Sequence, residues 1–534
     1  MSGVTKCLDV NECGAGTNPC GVGQCSNTTG SYACVCPTYY TTGTTSAGLP
    51  TCVDTDECAT NTAGCSQYAS CTNNVGTAAT CTCSSGRIGD GTLCQAISSV
   101  GVGDDFQCVK TVGDGKSPRV YCWGDNSKGQ LGDTTSVSRS YPSVNAPVAL
   151  DALPPGAGDV QSLYVGANYA CVTYAVTGGT NVACWGDNAK GQLGAYNASS
   201  FVKKPVPVVY APVGTATPTT PVSVTNLALG RAHACGFVPG ATTLYCWGDN
   251  AYGQLGIGST TVVTSNYART WTAQTYRTVT GSLETYALRE VAASDANTCA
   301  ITSEGTSSTS ARSLRCAGRA NGTILSLVST TAASIPAGAA GSSGGYFTHI
   351  TQLSASPPPP VGAQGTVARL LAAGSNHISL LASDERHYAW GNFAPANGGT
   401  TTSAMGSGFL VTDYPTGTQT YGAATALVGG GGTTYMLAPK TSTSTSSLLS
   451  AGDCTVGQCS TSSVGSFTFG PRSPYSVLRV AGGIDRSCIV TVADPPQLYC
   501  SGADTGSGAK VTLGTTPVGG SAPTDKQYNP VIWN

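Results

Sequence analysis

Along this chain the apolar positions come in short runs broken by glycine, not in long stripes. No apolar run approaches the ~20 residues that a membrane-spanning helix needs. From residue 103 onward one pattern returns: a small residue, a recurring site five positions later, and a third site just before a Trp-Gly type of turn. The first two columns read Gly103/Cys108, Gly166/Cys171, Gly230/Cys235, Ser294/Cys299, Gly374/Ser379, Gly430/Tyr435 and Gly483/Cys488. The third column reads Cys122, Cys184, Cys246, Cys316, Ala389, Ser450 and Cys500. This predicts seven repeats, each with two adjacent strands. The repeats that lack cysteine at one site also lack it at the other. Neighbouring antiparallel strands bring opposite side chains to about 4.5–5.5 Å, the separation that a disulfide bridges. The pattern therefore predicts Cys108–Cys122, Cys171–Cys184, Cys235–Cys246, Cys299–Cys316 and Cys488–Cys500. In the sixth repeat Cys454 and Cys459 fall inside the turn and are expected to pair with each other as Cys454–Cys459.

Composition narrows the class. The chain has 534 residues, 70 of them glycine, with only 10 % charged, against roughly 25 % in an average soluble domain. Gly, Thr and Ser favour turns and strands over helices. A net charge of −2 and the lack of any Lys/Arg cluster exclude a nucleic-acid partner. The 25 cysteines fit an oxidising, extracellular setting. Zinc is the rival explanation, but the C-x-C pairs Cys34/Cys36 and Cys81/Cys83 lack flanking knuckle spacings, and the chain has four histidines.

The third column runs into a ten-residue string, Trp-Gly-Asp-Asn-x-x-Gly-Gln-Leu-Gly, at 123–132, 185–194 and 247–256, spaced by 62 residues both times. Later copies decay to Ala317-Gly318-Arg319, Trp390-Gly391-Asn392, Ala451-Gly452-Asp453 and Ser501-Gly502-Ala503. The string resembles the RCC1 repeat. That resemblance implies an all-β, seven-bladed RCC1-like β-propeller over residues 97–534, each blade a four-stranded sheet packed against its neighbours. Repeats end in strand-like Pro-containing segments such as Pro147-Val148, Pro205-Val206-Pro207-Val208 and Pro530-Val531. The guanine-nucleotide exchange known for the family requires a shared compartment with its GTPase, which an extracellular, disulfide-bonded chain does not have.

Ahead of the repeats stand twelve cysteines in two sets of six: Cys13, Cys20, Cys25, Cys34, Cys36, Cys52 and Cys58, Cys65, Cys71, Cys81, Cys83, Cys94. Six cysteines allow fifteen connectivities, and spacing alone chooses none. The C-x-C between the fourth and fifth members resembles the EGF-like family. This resemblance implies Cys13–Cys25, Cys20–Cys34 and Cys36–Cys52 in a module at 9–53. In a second module at 54–96 it implies Cys58–Cys71, Cys65–Cys81 and Cys83–Cys94. Both modules open on an acidic signature, Asp9-Val10-Asn11-Glu12-Cys13 and Asp54-Thr55-Asp56-Glu57-Cys58, that resembles the calcium-binding subclass. A hard cation takes oxygen ligands. By resemblance Asp9, Glu12 and Asn27 supply side-chain oxygens and Val10, Thr28 and Ser31 carbonyls. The second set is Asp54, Glu57 and Asn73 with the carbonyls of Thr55, Asn74 and Thr77. The first module keeps the family's packing aromatic at Tyr32, whereas the second has Ala78 there. Calcium (Ca2+) at such a joint is structural, with an affinity of roughly 0.1–1 mM.

Cys7 repeats the spacing of Cys52 to Cys58, so residues 1–8 read as the end of a preceding EGF-like module. Asn27, Asn197 and Asn321 lie in N-x-S/T sequons and are candidate glycosylation sites. His233 and His377 sit two residues before the recurring site and read as satisfied strand histidines. No nucleophile elbow, P-loop or HExxH motif is present, so no enzyme is expected.

These features predict a secreted structural protein, the self-assembling protomer of an extracellular filament, surface appendage or matrix. The architecture resembles the EGF-containing proteins of stramenopile flagellar hairs (mastigonemes). The alternative is an adhesive ectodomain that holds a protein or glycan ligand.

Overall fold

The computed structural model describes residues 8–257 apart from 15, 198 and 212–216. Beyond 257 it describes 264–272, 286–304, 312–319, 344–349, 368–375, 377–382, 387–391, 410–412, 423–439, 446–452, 466–471, 476–502 and 529–531. Two compact units result: Met1–Gln95 with Asp114–Lys116, and Ala96–Gly113 with Ser117–Asn534. Regular structure among the described residues is all strand apart from two 3-10 turns, Glu12–Gly14 and Leu150–Ala152.

The first unit is built of two-stranded hairpins: Gln24–Thr28 with Ser31–Val35, Tyr40–Thr44 with Pro50–Asp54, and Ala69–Asn74 with Thr77–Cys83. Hairpins this small bury too little to hold alone. Six disulfides brace them: Cys13–Cys25, Cys20–Cys34, Cys36–Cys52, Cys58–Cys71, Cys65–Cys81 and Cys83–Cys94.

In the second unit seven sheets follow one another among the described residues, antiparallel apart from one pairing in the third. The first contains Phe106–Val112 and Val120–Gly124, extended by bridges from Tyr121 to Pro147 and Gly124 to Arg139. The second comprises Val160–Val165, Tyr169–Val176, Gly179–Asp187 and Phe201–Pro207. The seventh comprises Val477–Gly482, Arg486–Thr491, Leu498–Gly502 and Asn529–Pro530. Their second strands are buried on both faces, as in His233–Phe237 and Arg486–Thr491, because each sheet is sandwiched between neighbours. Burial therefore does not alternate along these strands and takes in even His233 and Arg486.

The register sets the recurring sites directly opposite each other: Cys108 faces Cys122, Cys171 faces Cys184, Cys235 faces Cys246, Cys299 faces Cys316 and Cys488 faces Cys500. All five pairs are disulfides, with Cα atoms 4.0–4.1 Å apart. In the fifth and sixth sheets Ser379 faces Ala389 and Tyr435 faces Ser450. Cys454 and Cys459 lie outside the described residues.

The small-residue column lies where the sheets converge. A Cβ on Gly103 would stand 2.7 Å from the Ala167 carbonyl, and one on Gly374 2.1 Å from that of Gly430. One on Gly483 would stand 2.7 Å from the carbonyl of Gly103, so the seventh sheet meets the first and the ring closes. Backbone bonds tie neighbouring sheets there, with the Asp104, Asp295 and Gly431 N–H groups donating to the carbonyls of Ala167, Ser375 and Gly483.

The Trp-Gly-Asp-Asn string is a latch between sheets. Asn126, Asn188 and Asn250 accept the N–H of Leu131, Leu193 and Leu255 on Oδ1 at 3.0–3.1 Å. Gln130, Gln192 and Gln254 accept the N–H two residues upstream at 2.8–2.9 Å. This bent turn presents the Gln carbonyl to the next sheet. There the indole N–H of Trp185 donates to the Gln130 carbonyl at 2.9 Å, and that of Trp247 to Gln192 at 2.8 Å. The fourth sheet has Ala317 in the Trp position, and Thr298 Oγ1 donates to the Gln254 carbonyl instead at 2.8 Å. The third sheet departs from the expected four strands. Val209–Tyr210 pairs in parallel with Thr264–Thr272, through Tyr210 and Ala268, and adds Thr220–Pro221 beyond it.

Candidate functional site

The two acidic signatures fold alike. Asp9 accepts the Gly30 N–H and, at 2.8 Å, Asn27 Nδ2. These bonds, the backbone one foremost, hold its carboxyl below the usual range. In the second module Asp54 accepts the Gly76 N–H and Asn73 Nδ2, each at 2.7 Å. Each Asp thus clamps the turn of a hairpin whose ends are the predicted carbonyl donors, Thr28 opposite Ser31 and Asn74 opposite Thr77. With its amide N–H turned to Asp54, Asn73 leaves Oδ1 buried and without a donor. Both carboxylate oxygens of Glu57 and one of Glu12 are also buried without a partner. Thr55 sits beside them, its N–H donating to Tyr39, and Val10 is exposed.

Unpaired buried carboxylate and amide oxygens carry a large desolvation cost, which a hard cation removes. The donor chemistry therefore fits calcium. Asp9, Glu12 and Asn27 would hold one ion, and Asp54, Glu57 and Asn73 another. Among the described residues no group of three or more His, Cys, Asp or Glu converges, as expected for sites that mix two carboxylates with amide and carbonyl oxygens.

The joint between the modules rests on a residue the sequence did not flag. Tyr40 lies against Gly76: a Cβ there would meet the Tyr40 hydroxyl at 2.6 Å, and φ is +73°. Gly76 is also the residue whose N–H holds Asp54, so module packing and the second oxygen cluster share one turn. Tyr32 is buried in its own module.

The calcium-binding EGF domain family matches residues 9–50, the EGF domain family 58–94, and the Regulator of chromosome condensation (RCC1) repeat 118–172. The chain carries two EGF domains followed by an RCC1 repeat. Among solved structures it is similar to human WBSCR16, with 15 % identity and a TM-score of 0.53 over 75 % of this chain and 88 % of that one. Yeast RCC1 (Prp20), crystallised with Kap60, shares 16 % identity with a TM-score of 0.46, over 78 % and 80 %. At 15 % identity the likeness to WBSCR16 is one of fold.

The seven sheets enclose a polar axial cavity of roughly 130 Å³, lined by the turns that follow the small-residue column. At its mouth Arg231 Nη2 lies 3.0 Å from Asp104, and Nη1 3.9 Å from Asp295. Burial pushes Asp295 up to about 6 against the pull of Arg231, and it raises Asp104 too. Arg486, outside the lining, lies 3.6 Å from Asp105 and 3.2 Å from Asp485.

The histidines are elsewhere, between sheets. His233 Nε2 meets Thr298 Oγ1 at 2.9 Å. That hydroxyl spends its proton on Gln254, so the histidine donates from Nε2, and burial lowers its pKa to about 4, which favours the neutral ring. His377 Nε2 meets Thr434 Oγ1 at 3.0 Å. Of the sequon residues, Asn27 spends Nδ2 on Asp9, Asn197 is half-buried, and Asn321 lies outside the described residues.

Proposed function

We propose that this is an extracellular structural protein, whose calcium-stiffened EGF domains form a rod through which copies assemble into a filament, surface appendage of the flagellar-hair kind or matrix. One observation carries the reading. Of fourteen exposed large hydrophobic side chains among the described residues, eight lie in the first unit: Leu8, Val10, Val22, Val35, Tyr39, Leu49, Val53 and Val75. That unit holds about a quarter of the described residues. Exposed apolar side chains enriched in one unit favour an interaction surface there, and few charges oppose self-contact. The EGF domains and the eleven disulfides of the described residues suit an oxidising exterior. Asn197 would carry a glycan in that setting.

Sedimentation velocity tests this. The wild type should form large species in millimolar calcium, while Glu57→Gln should shift the distribution toward monomer. A monomer in both chains at every concentration would overturn assembly. A second reading, a ligand-binding ectodomain without catalysis, is favoured by the axial cavity. It predicts that a bound protein or glycan is lost in Arg231→Ala.

A further inference from the structure

The loop after the second copy of the Trp-Gly-Asp-Asn string carries the sequon Asn197-Ala198-Ser199. It lies on the outer strand of the third sheet, Thr264–Thr272. Ala195 bridges Tyr267 there, and the Tyr196 N–H donates to the Asn266 carbonyl at 2.7 Å. Buried Asn188 ties the same loop down, its Nδ2 donating to the carbonyls of Asn197 and Ser199 at 3.1 and 2.8 Å. The Asn197 side chain uses its oxygen within the loop, Oδ1 accepting the Ser199 N–H at 2.9 Å. Its Nδ2 donates to no other described residue. In Asn27 the allocation is reversed, with Nδ2 given to Asp9 at 2.8 Å.

The residue beside Asn197 is an exposed aromatic. Tyr196 holds a φ of +51° although it is not glycine, and it is 53 % exposed, so burial does not account for this conformation. Its ring meets that of Tyr267 edge-on, with centroids 5.9 Å apart. The Arg269 guanidinium in turn lies 4.3 Å from the centroid of Tyr267, a cation–π contact that holds that ring. The Tyr196 ring is thus fixed in place while still open to solvent.

We propose that Asn197 is an N-glycosylation site and that Tyr196, steadied by Tyr267, is the platform on which its first N-acetylhexosamine rests. This deepens the extracellular reading and rests on it, since the secretory route supplies the donor, a lipid-linked sugar diphosphate. Nδ2 of Asn197 attacks C1 of the sugar and the Nδ2–C1 bond forms. The bond from C1 to the diphosphate oxygen breaks, its electron pair leaves with the diphosphate, and Nδ2 gives up one proton. A hexosamine ring has a face of C–H groups, which an exposed aromatic ring covers while the hydroxyls stay in water. A sugar on Asn27 would instead crowd the clamp on Asp9 at the first oxygen cluster, so that sequon stays unmodified.

Peptide mapping by mass spectrometry, on protein from the native source alkylated without reduction, tests the site. Asn197 should carry N-acetylhexosamine and Asn27 none. A bare Asn197 with Cys171–Cys184 and the other pairs oxidised overturns the site and leaves the extracellular reading standing. A bare Asn197 with alkylated cysteines overturns both. The platform is tested by the rate at which a peptide N-glycanase releases the Asn197 glycan from the folded, full chain. Tyr196→Asn removes the ring, suits a left-handed backbone and creates no sequon, because Ala198 stands two residues on. Release should be about two- to tenfold faster than from the parent, the range of one aromatic contact. Equal rates would show that the sugar stands clear of the ring and would overturn the platform.

Discussion

At the scale of single residues, the EGF domains carry polarity that the protein alone does not satisfy. Glu57 is 8 % exposed with both oxygens unpaired, and an unmatched buried polar group costs about 1–3 kcal/mol. Glu57→Gln should therefore be tolerated without calcium but lose the stabilisation that calcium gives the parent chain. Calorimetric titration should show one fewer site per chain. An unchanged stoichiometry would remove Glu57 from the site. Gly76→Ala should be worse than its size suggests, since it meets both a positive φ and the Tyr40 ring. It is expected to weaken the same site and loosen the joint, read as faster proteolysis between the modules. The likeness of the two acidic signatures was legible because Asp9 and Asp54 stand at one fixed offset from a half-cystine. Tyr40 was not, since its role depends on how one module approaches the next.

At the scale of elements, register does most of the work. The cysteine columns could be read because directly opposed antiparallel positions must match in kind, and the Ser379/Ala389 and Tyr435/Ser450 pairs show the same positions filled without sulfur. Replacing Cys171 and Cys184 together by alanine should cost about 3 kcal/mol for a loop of this size, measured by denaturant unfolding. A cost near zero would mean that the cross-strand packing, not the link, holds the sheet. Trp185→Phe should cost about 1–3 kcal/mol by the same measurement. Repetition alone marked the turn string as structural. It could not reveal the substitution of Thr298 for a tryptophan, because that bond comes from a different strand of the next sheet. The parallel addition of Val209–Tyr210 to the third sheet was equally hidden, being set by a loop-length excursion and not by strand pattern.

At the scale of the whole molecule, the buried histidines set the response to acid. Burial lowers His233 and His377 to about 4, and lowers His387 to about 3 together with its neighbour His377. The unfolded chain binds those protons near 6.5, so their contribution is complete above pH 6.5 and is lost progressively toward pH 4 and below. Asp295 and Asp104 work in the opposite sense, their contribution present at low pH and lost as pH rises, for Asp295 through about 6, but three histidines outweigh two carboxylates. The melting temperature should fall between pH 7 and pH 5, less steeply in His233→Gln. A flat or rising profile would show that the histidines are solvated. Ring closure was the part least legible in the sequence, since nothing in seven similar repeats says how the last meets the first. The central claim, that calcium makes the EGF domains a stiff connector between copies, is tested most directly by negative-stain imaging of material from the native source, kept free of reductant, with and without a calcium chelator. Regular polymers that soften or come apart on chelation are the predicted result; monodisperse particles under both conditions would contradict it.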